Sequence, residues 1–127
     1  MPPQFSKHYT VAEARALLPE IRLWLDGLDK CAERLKTLDK QVGALLAEGR
    51  DAGGQPVNDL IVTLAECRDV LMEFHRRQIQ VKDLKRGLID FPSLREGREV
   101  FLCWERDEDD IEFWHDLETG YSGRERL

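Results

Sequence analysis

His115 is the side chain with the most chemistry within reach. It ends a run, Ile111-Glu112-Phe113-Trp114, that alternates across a strand, and it precedes Asp116 and Glu118. A carboxylate can therefore orient its ring, as general bases and metal ligands require. Cys103 adds a soft donor in the strand register that turns both residues to one face. Asp90, just before Phe91-Pro92, reads either as a pocket acid or as a turn residue that satisfies backbone N–H groups. Arg98 and Arg124, with Arg126, fall among Trp104, Trp114, Tyr121 and Phe91, a mixture that can grip a carboxylate or phosphate and stack on flat rings. The candidate pocket is thus His115, Cys103, Asp90, Arg124, Arg98, Trp104 and Trp114, and its ligand class is an anionic small molecule. No metal is assigned, because a zinc site wants four ligands with close-spaced pairs and the chain offers none. A single buried histidine is more often structural, bonded to backbone or carboxylate, and the arginines have carboxylates close by to pair with. No P-loop, GxSxG elbow, HExxH helix or dinucleotide fingerprint occurs, so no cofactor and no reaction are named.

Two strands must hold these residues. Glu99-Val100-Phe101-Leu102-Cys103-Trp104-Glu105 is rich in strand formers, and an acidic turn at Asp107-Glu108-Asp109-Asp110 separates it from the returning strand at Ile111–His115. If Cys103 lies opposite Phe113, then Phe101, Cys103, Ile111, Phe113 and His115 share one face; a slip by one residue moves His115 in with Leu102, Trp104, Ile111 and Phe113. Leu88–Pro92 reads as a short extended segment ended by proline, Arg95–Arg98 as a turn, and Asp116–Leu127 as an irregular tail.

The first two thirds of the chain are helical in pattern. Thr10-Val11-Ala12-Glu13 is a capping box that starts a helix, and Pro19 should kink or divide it. Leu17, Ile21, Trp24, Leu28, Cys31, Leu35, Leu38, Val42 and Leu45 alternate in spacings of four and three, as do Val57, Leu60, Leu64, Cys67, Leu71, Phe74, Gln78 and Val81. A loop at 49–56 carrying three glycines and a proline would fold the two seams together, with the second helix ending at Gly87. That pairing sets Leu35 beside Cys67 and Trp24 beside Gln78. The indole of Trp24 would then satisfy Gln78, and Cys31 and Cys67 would stand one turn apart, too far for a disulfide. His75 reads as a solvated surface residue, and His8, just before the first cap, carries little information.

The 127-residue length fits one domain. A formal charge of −6 argues against nucleic-acid binding, though residues 75–86 hold five Lys/Arg against one Asp (net +4) and residues 98–118 two Arg against nine Asp/Glu (net −7). The simplest reading is that these two regions neutralise each other. Three scattered cysteines point to free thiols in a reducing compartment, and no apolar run reaches the length of a signal peptide or membrane span, so a cytoplasmic location without membrane association is expected.

Tyr9-Thr10-Val11-Ala12-Glu13-Ala14 with Ala16-Leu17-Leu18-Pro19, Gly87-Leu88-Ile89-Asp90-Phe91-Pro92-Ser93, Leu102-Cys103-Trp104, Trp114-His115 and Gly120-Tyr121-Ser122-Gly123-Arg124 resemble the small prokaryotic family called domain of unknown function 2203. The resemblance covers nearly the whole chain. Family members often have Gly-Glu in the hairpin turn where this chain has Asp107-Glu108. What the resemblance implies is the architecture and a distinctive C-terminal third; it implies no reaction.

The expected fold is α+β, mostly α: a single domain over 1–127, with a long antiparallel helical hairpin (about 10–87), a kinked N-terminal helix, then a small β-hairpin and tail (about 88–127) packed at the open end around Ile21, Trp24, Gln78 and Val81. Helices of about 30 residues extend roughly 45 Å, more than one β-hairpin covers. Leu25, Ala32, Leu46, Ile61 and Leu84 widen the apolar stripe, so a coiled-coil-like homo-oligomer, most simply a dimer, is expected. The leading functional expectation is a self-associating interaction or scaffold protein. The other is a ligand- or metal-binding domain, possibly enzymatic, with its site near His115.

Overall fold

The computed structural model describes residues 2–50 and 54–127. Residues 51–53, within the expected inter-helix loop, lie outside the described residues. The elements are α1 (Val11–Ala47), α2 (Gln55–Arg76), β1 (Gln80–Asp83), β2 (Leu88–Arg95), β3 (Arg98–Glu105), β4 (Phe113–Asp116), a 3-10 turn (Tyr121–Gly123) and β5 (Glu125–Arg126). The five strands form one antiparallel sheet in chain order. The fold is α+β, but with helices of 37 and 22 residues only about half the chain is helical. The chain separates into two compact units, residues 2–23 with Phe74–Leu127, and Trp24–Glu73.

In the first unit α1 begins as its sequence dictates. The Thr10 hydroxyl accepts from the Glu13 amide at 3.1 Å, and the Glu13 carboxylate accepts from the Thr10 amide at 2.9 Å. Pro19 does not divide the helix. It and Arg15, whose carbonyl loses a donor to the proline, are both exposed, so water can take the freed bond.

The end of α2 departs most from expectation: the helix stops at Arg76, and residues expected to continue it form β1. Gln78 adopts φ 57°, the Gln78 amide donates to the His75 carbonyl at 3.0 Å, and the Ile79 amide donates to the Phe74 carbonyl at 3.1 Å. This is a Schellman ending with the apolar Phe74–Ile79 pair that accompanies it, and glutamine stands where glycine is usual. Gln78 is held there by its side chain, whose Oε1 accepts from the Ser6 and Lys7 amides, each at 2.9 Å, and from the Ser6 hydroxyl. Gln78 thus ties down the N-terminal arm instead of completing a helical seam. Gly87 accordingly serves the β1–β2 turn. Its φ is 64°, and a Cβ there would come within 2.5 Å of Arg106 Cβ.

β2 also runs further than expected, through Pro92 to Arg95. Proline is tolerated because the Pro92 carbonyl accepts from the Tyr9 amide at 2.7 Å, so the position that lacks N–H faces the arm and the β2–β3 ladder stays intact. Glu96 and Gly97, both at positive φ, close a two-residue hairpin loop as anticipated at 95–98. The β3–β4 register pairs Cys103 with Phe113 and Phe101 with His115, the first of the two registers the sequence allowed. The tail is more ordered than expected: β5 adds a fifth strand beside β4.

In the second unit Arg34 Nε donates to Thr63 Oγ1 at 3.1 Å across α1 and α2, Gly27 faces Val70, and Cys31 lies near enough to Cys67 to shift its thiol. Cys31 therefore meets Cys67 where Leu35 was expected. The reason lies in the face that α2 buries. Thr63 is buried while Leu64 and Leu71 are exposed, because the Thr63 hydroxyl donates to the Asp59 carbonyl and accepts from Arg34 and so carries no unmet polarity. Leu25, expected to widen an exposed stripe, is buried, whereas Leu46, Ile61 and Leu84 are exposed.

Candidate functional site

Successive strand residues point to opposite faces, so the observed registers divide the sheet cleanly. One face carries Ile89, Phe91, Leu102, Trp104 and Trp114. It meets the N-terminal part of α1 and the residues before it: Tyr9 packs edge-on against Phe91, and the Arg22 guanidinium lies 4.9 Å from the Trp104 ring. The opposite face carries Asp90 from β2, Phe101 and Cys103 from β3, and Phe113 and His115 from β4. The arm and the tail cover this second face. Phe5 meets Phe101 at 5.5 Å, and Arg124 stacks 4.0 Å above Phe113 and 4.2 Å above Tyr121.

Three candidate residues converge here. Asp90, Cys103 and His115 are all buried, and each offers a ligand atom within 4.8 Å of the other two. His115 Nδ1 lies 2.7 Å from the Asp116 carbonyl, which can only accept, so Nδ1 carries a proton and Nε2 faces Asp90 Oδ2 at 3.0 Å. The carboxylate beside the ring is therefore that of Asp90; Asp116 contributes its backbone. Asp90 Oδ1 is buried and accepts no hydrogen bond among the described residues. A buried carboxylate oxygen without a donor is uncommon and requires a reason.

Burial alone drives the His115 pKa down, but the Asp90 hydrogen bond, the Asp116 carbonyl and the Asp90 charge outweigh it, with Lys82 opposing, so it ends above the usual 6.5. A histidine whose pKa rises on folding stabilises the fold fully below the unfolded value and loses that contribution as pH climbs through the folded one. Metal-free protein should accordingly lose stability as pH rises above about 6.5, and a His115→Ala variant should lack that slope in urea titrations across pH. Burial, then the Asp90 charge, push the Cys103 thiol up to about 12 against an opposing hydrogen bond from Arg124. The thiol is therefore protonated unless a cation joins it.

The other candidates are placed elsewhere or are engaged. Arg124 reaches Cys103 but is also paired with Glu108 at 2.9 Å. Arg98 pairs with Asp116 at 3.0 Å, and Arg126 with Glu112. Trp104 and Trp114 lie on the opposite sheet face; the Trp104 indole donates to the Glu108 carbonyl at 2.9 Å, and Arg95 stacks on Trp114. A surface cleft of about 550 Å³ includes Arg98, His8, Leu94 and Glu99 but none of the converging three. His8, which the sequence left uninformative, lies 2.8 Å from Glu99. The acidic turn is met by Arg15 on Asp110, by Arg124 on Glu108 and by Arg22, which donates to the Arg106 and Glu108 carbonyls, while Arg86 pairs with Glu105 at the end of β3. Arg15 on α1 and Arg124 in the tail thus share with Arg86 the neutralisation expected of the basic segment alone.

An α+β domain with a buried Asp-Cys-His cluster on a five-stranded meander is the class that fold and site define. The chain belongs to the family described as "Uncharacterized conserved protein (DUF2203)", which matches residues 7–127. No curated protein and no solved structure gives a significant match. No described helix is long and apolar enough to cross a membrane.

Proposed function

We propose that this chain is a metal-binding domain that holds one divalent transition-metal ion, zinc in the first instance, on Asp90, Cys103 and His115. The observation that carries the reading is the convergence of buried Asp90, Cys103 and His115 ligand atoms within 4.8 Å of one another, with Asp90 Oδ1 buried and without a hydrogen-bond partner among the described residues. A tetrahedral ion with bonds of about 2.0–2.3 Å brings its ligand atoms closer together than 4.8 Å, a contraction that small side-chain rotations supply. The Asp116 carbonyl on Nδ1 is the outer partner that fixes a histidine for ligation through Nε2.

Charge supports a divalent ion. With His115 protonated, Asp90 ionised and Cys103 a thiol, the cluster is neutral; with a divalent cation on carboxylate, thiolate and neutral imidazole it is neutral again. Exchange of one ion for two protons therefore leaves no net charge in a buried place. One sulfur, one nitrogen and one oxygen donor favour zinc or its late first-row neighbours over magnesium or calcium. Three protein ligands leave a fourth position for water or an incoming group, the arrangement that metal catalysis uses.

Zinc titration of chelator-stripped protein tests this directly. The expected result is one ion per chain, release of close to two protons per ion near pH 6.5, and, with Co²⁺, a thiolate charge-transfer band that Cys103→Ser abolishes. Failure of zinc to bind at micromolar concentration while the protein remains folded would overturn it.

A second reading, self-association through the helices, is favoured by the exposure of Ile61, Leu64 and Leu71, which lie three and seven residues apart on α2, and of Leu46 on α1. Light scattering should then report a dimer, and a monomer at micromolar concentration would retire that reading.

A further inference from the structure

The remaining thiol chemistry lies in the helical unit and is independent of the metal reading. Within Trp24–Glu73 two cross-helix meetings flank the cysteines: a Cβ built on Gly27 would lie 3.9 Å from Val70 Cγ2, and Arg34 Nε reaches Thr63 Oγ1 at 3.1 Å. Cys31 lies between Gly27 and Arg34 on α1, and Cys67 lies between Thr63 and Val70 on α2. Cross-helix contacts a turn to either side therefore set the two thiols face to face. Both are free and half-buried, within reach of a small oxidant.

We propose that Cys31 and Cys67 form a redox modification site, at which a hydroperoxide converts the facing thiols into a disulfide joining α1 to α2. One sulfur of the pair, as its thiolate, takes the terminal peroxide oxygen, the O–O bond breaks, and the leaving oxygen takes up that thiol's proton and departs as water or alcohol. The other sulfur then attacks the resulting sulfenic sulfur, forming the S–S bond and expelling hydroxide, which takes up the second thiol's proton as water. Two thiols lose two electrons and two protons, and the peroxide accepts both. Burial, then the neighbouring Cys31, push the Cys67 thiol up to about 11. Cys103, buried in the sheet, is the internal control.

The test treats the intact protein with hydrogen peroxide, alkylates the remaining thiols, and maps them by mass spectrometry. The expected product is an intramolecular Cys31–Cys67 crosslink, 2 Da lighter than the dithiol, with Cys103 still alkylated. It should raise Tm by roughly 5 °C or more through the loop it closes. Dithiothreitol should reverse the change, and Cys31→Ser and Cys67→Ser should each abolish it. Wild-type mapping decides the matter without either variant. Three alkylatable thiols after treatment, sulfinic acid at one cysteine without a crosslink, or crosslinks only between chains would each overturn it. Zinc titration reads a different cluster, so either proposal can fail alone.

Discussion

Replacing His115 with alanine should destabilise metal-free protein by about 3–5 kcal/mol at neutral pH or below, the range for removing one partner of a buried charged pair. The effect exceeds that of a lost neutral hydrogen bond, about 1 kcal/mol, because of what is left behind. Asp90 Oδ2 would lose its bond to the imidazole, 3.0 Å away, while Oδ1 already lacks a partner among the described residues. The carboxyl would have to be protonated or draw in water, and both act against the close packing of Phe101 on the His115 ring. The converse sharpens the test: a double replacement by apolar residues, Asp90→Leu with His115→Leu, removes the polarity entirely and should cost less than His115→Ala alone. Urea unfolding of the two single variants and the double variant gives the coupling, expected at about 2 kcal/mol or more. Additive single effects would show that the pair is not a unit. In zinc-loaded protein the same alanine should weaken the metal by more than the 10–100-fold typical of outer-shell changes.

Trp104→Ala should be comparably severe for a different reason. Trp104 is fully buried on the other sheet face, bonded to the Glu108 carbonyl and covered by Arg22. Its loss leaves a ring-sized cavity at a cost of about 3–5 kcal/mol, or roughly 10 °C in Tm. The Glu108 carbonyl keeps its bond from Arg22, so the penalty is mainly packing. Because Trp104 points away from Asp90, Cys103 and His115, zinc stoichiometry measured well below the melting point should remain unchanged. Together the two variants separate the site from the scaffold: one should lose metal and stability, the other stability alone.

The local rules read true wherever a few adjacent residues decide the outcome. Thr10 and Glu13 cap α1, Arg95–Arg98 turns the chain, and Cys103 opposite Phe113 was one of only two registers open to a strand pair. Sequence alone did not reveal where α2 ends, because Gln78 holds a left-handed conformation with bonds from Ser6 and Lys7, some seventy residues away in the chain. The alternation Ile79-Gln80-Val81-Lys82 was the available signal for β1, and heptad spacing through Gln78 and Val81 masked it. Helix pairing failed for a similar reason. Thr63 reads as polar until Asp59 and Arg34 satisfy its hydroxyl, so the apolar Leu64 was preferred to it. Asp90, Cys103 and His115 show no close spacing in the chain and so give no metal signal there; three different strands bring them together, and only the sheet registers reveal it. Arg98, Trp104 and Trp114 were grouped with them by chemical type, whereas alternation sends both tryptophans to the opposite face.

Both margins of the sheet are short. β1 has four residues and a register shift at Val81–Asp83, and β5 has two, both charged. Beyond the end of β1, the open side of β2 at Pro92 is taken by the amide of Tyr9. A neighbouring chain therefore finds few free backbone groups at either margin onto which it could add a strand. Loss of the arm would uncover the margin of β2, and the first symptom should be fibrillar, strand-mediated aggregation, arising before any fall in helix content.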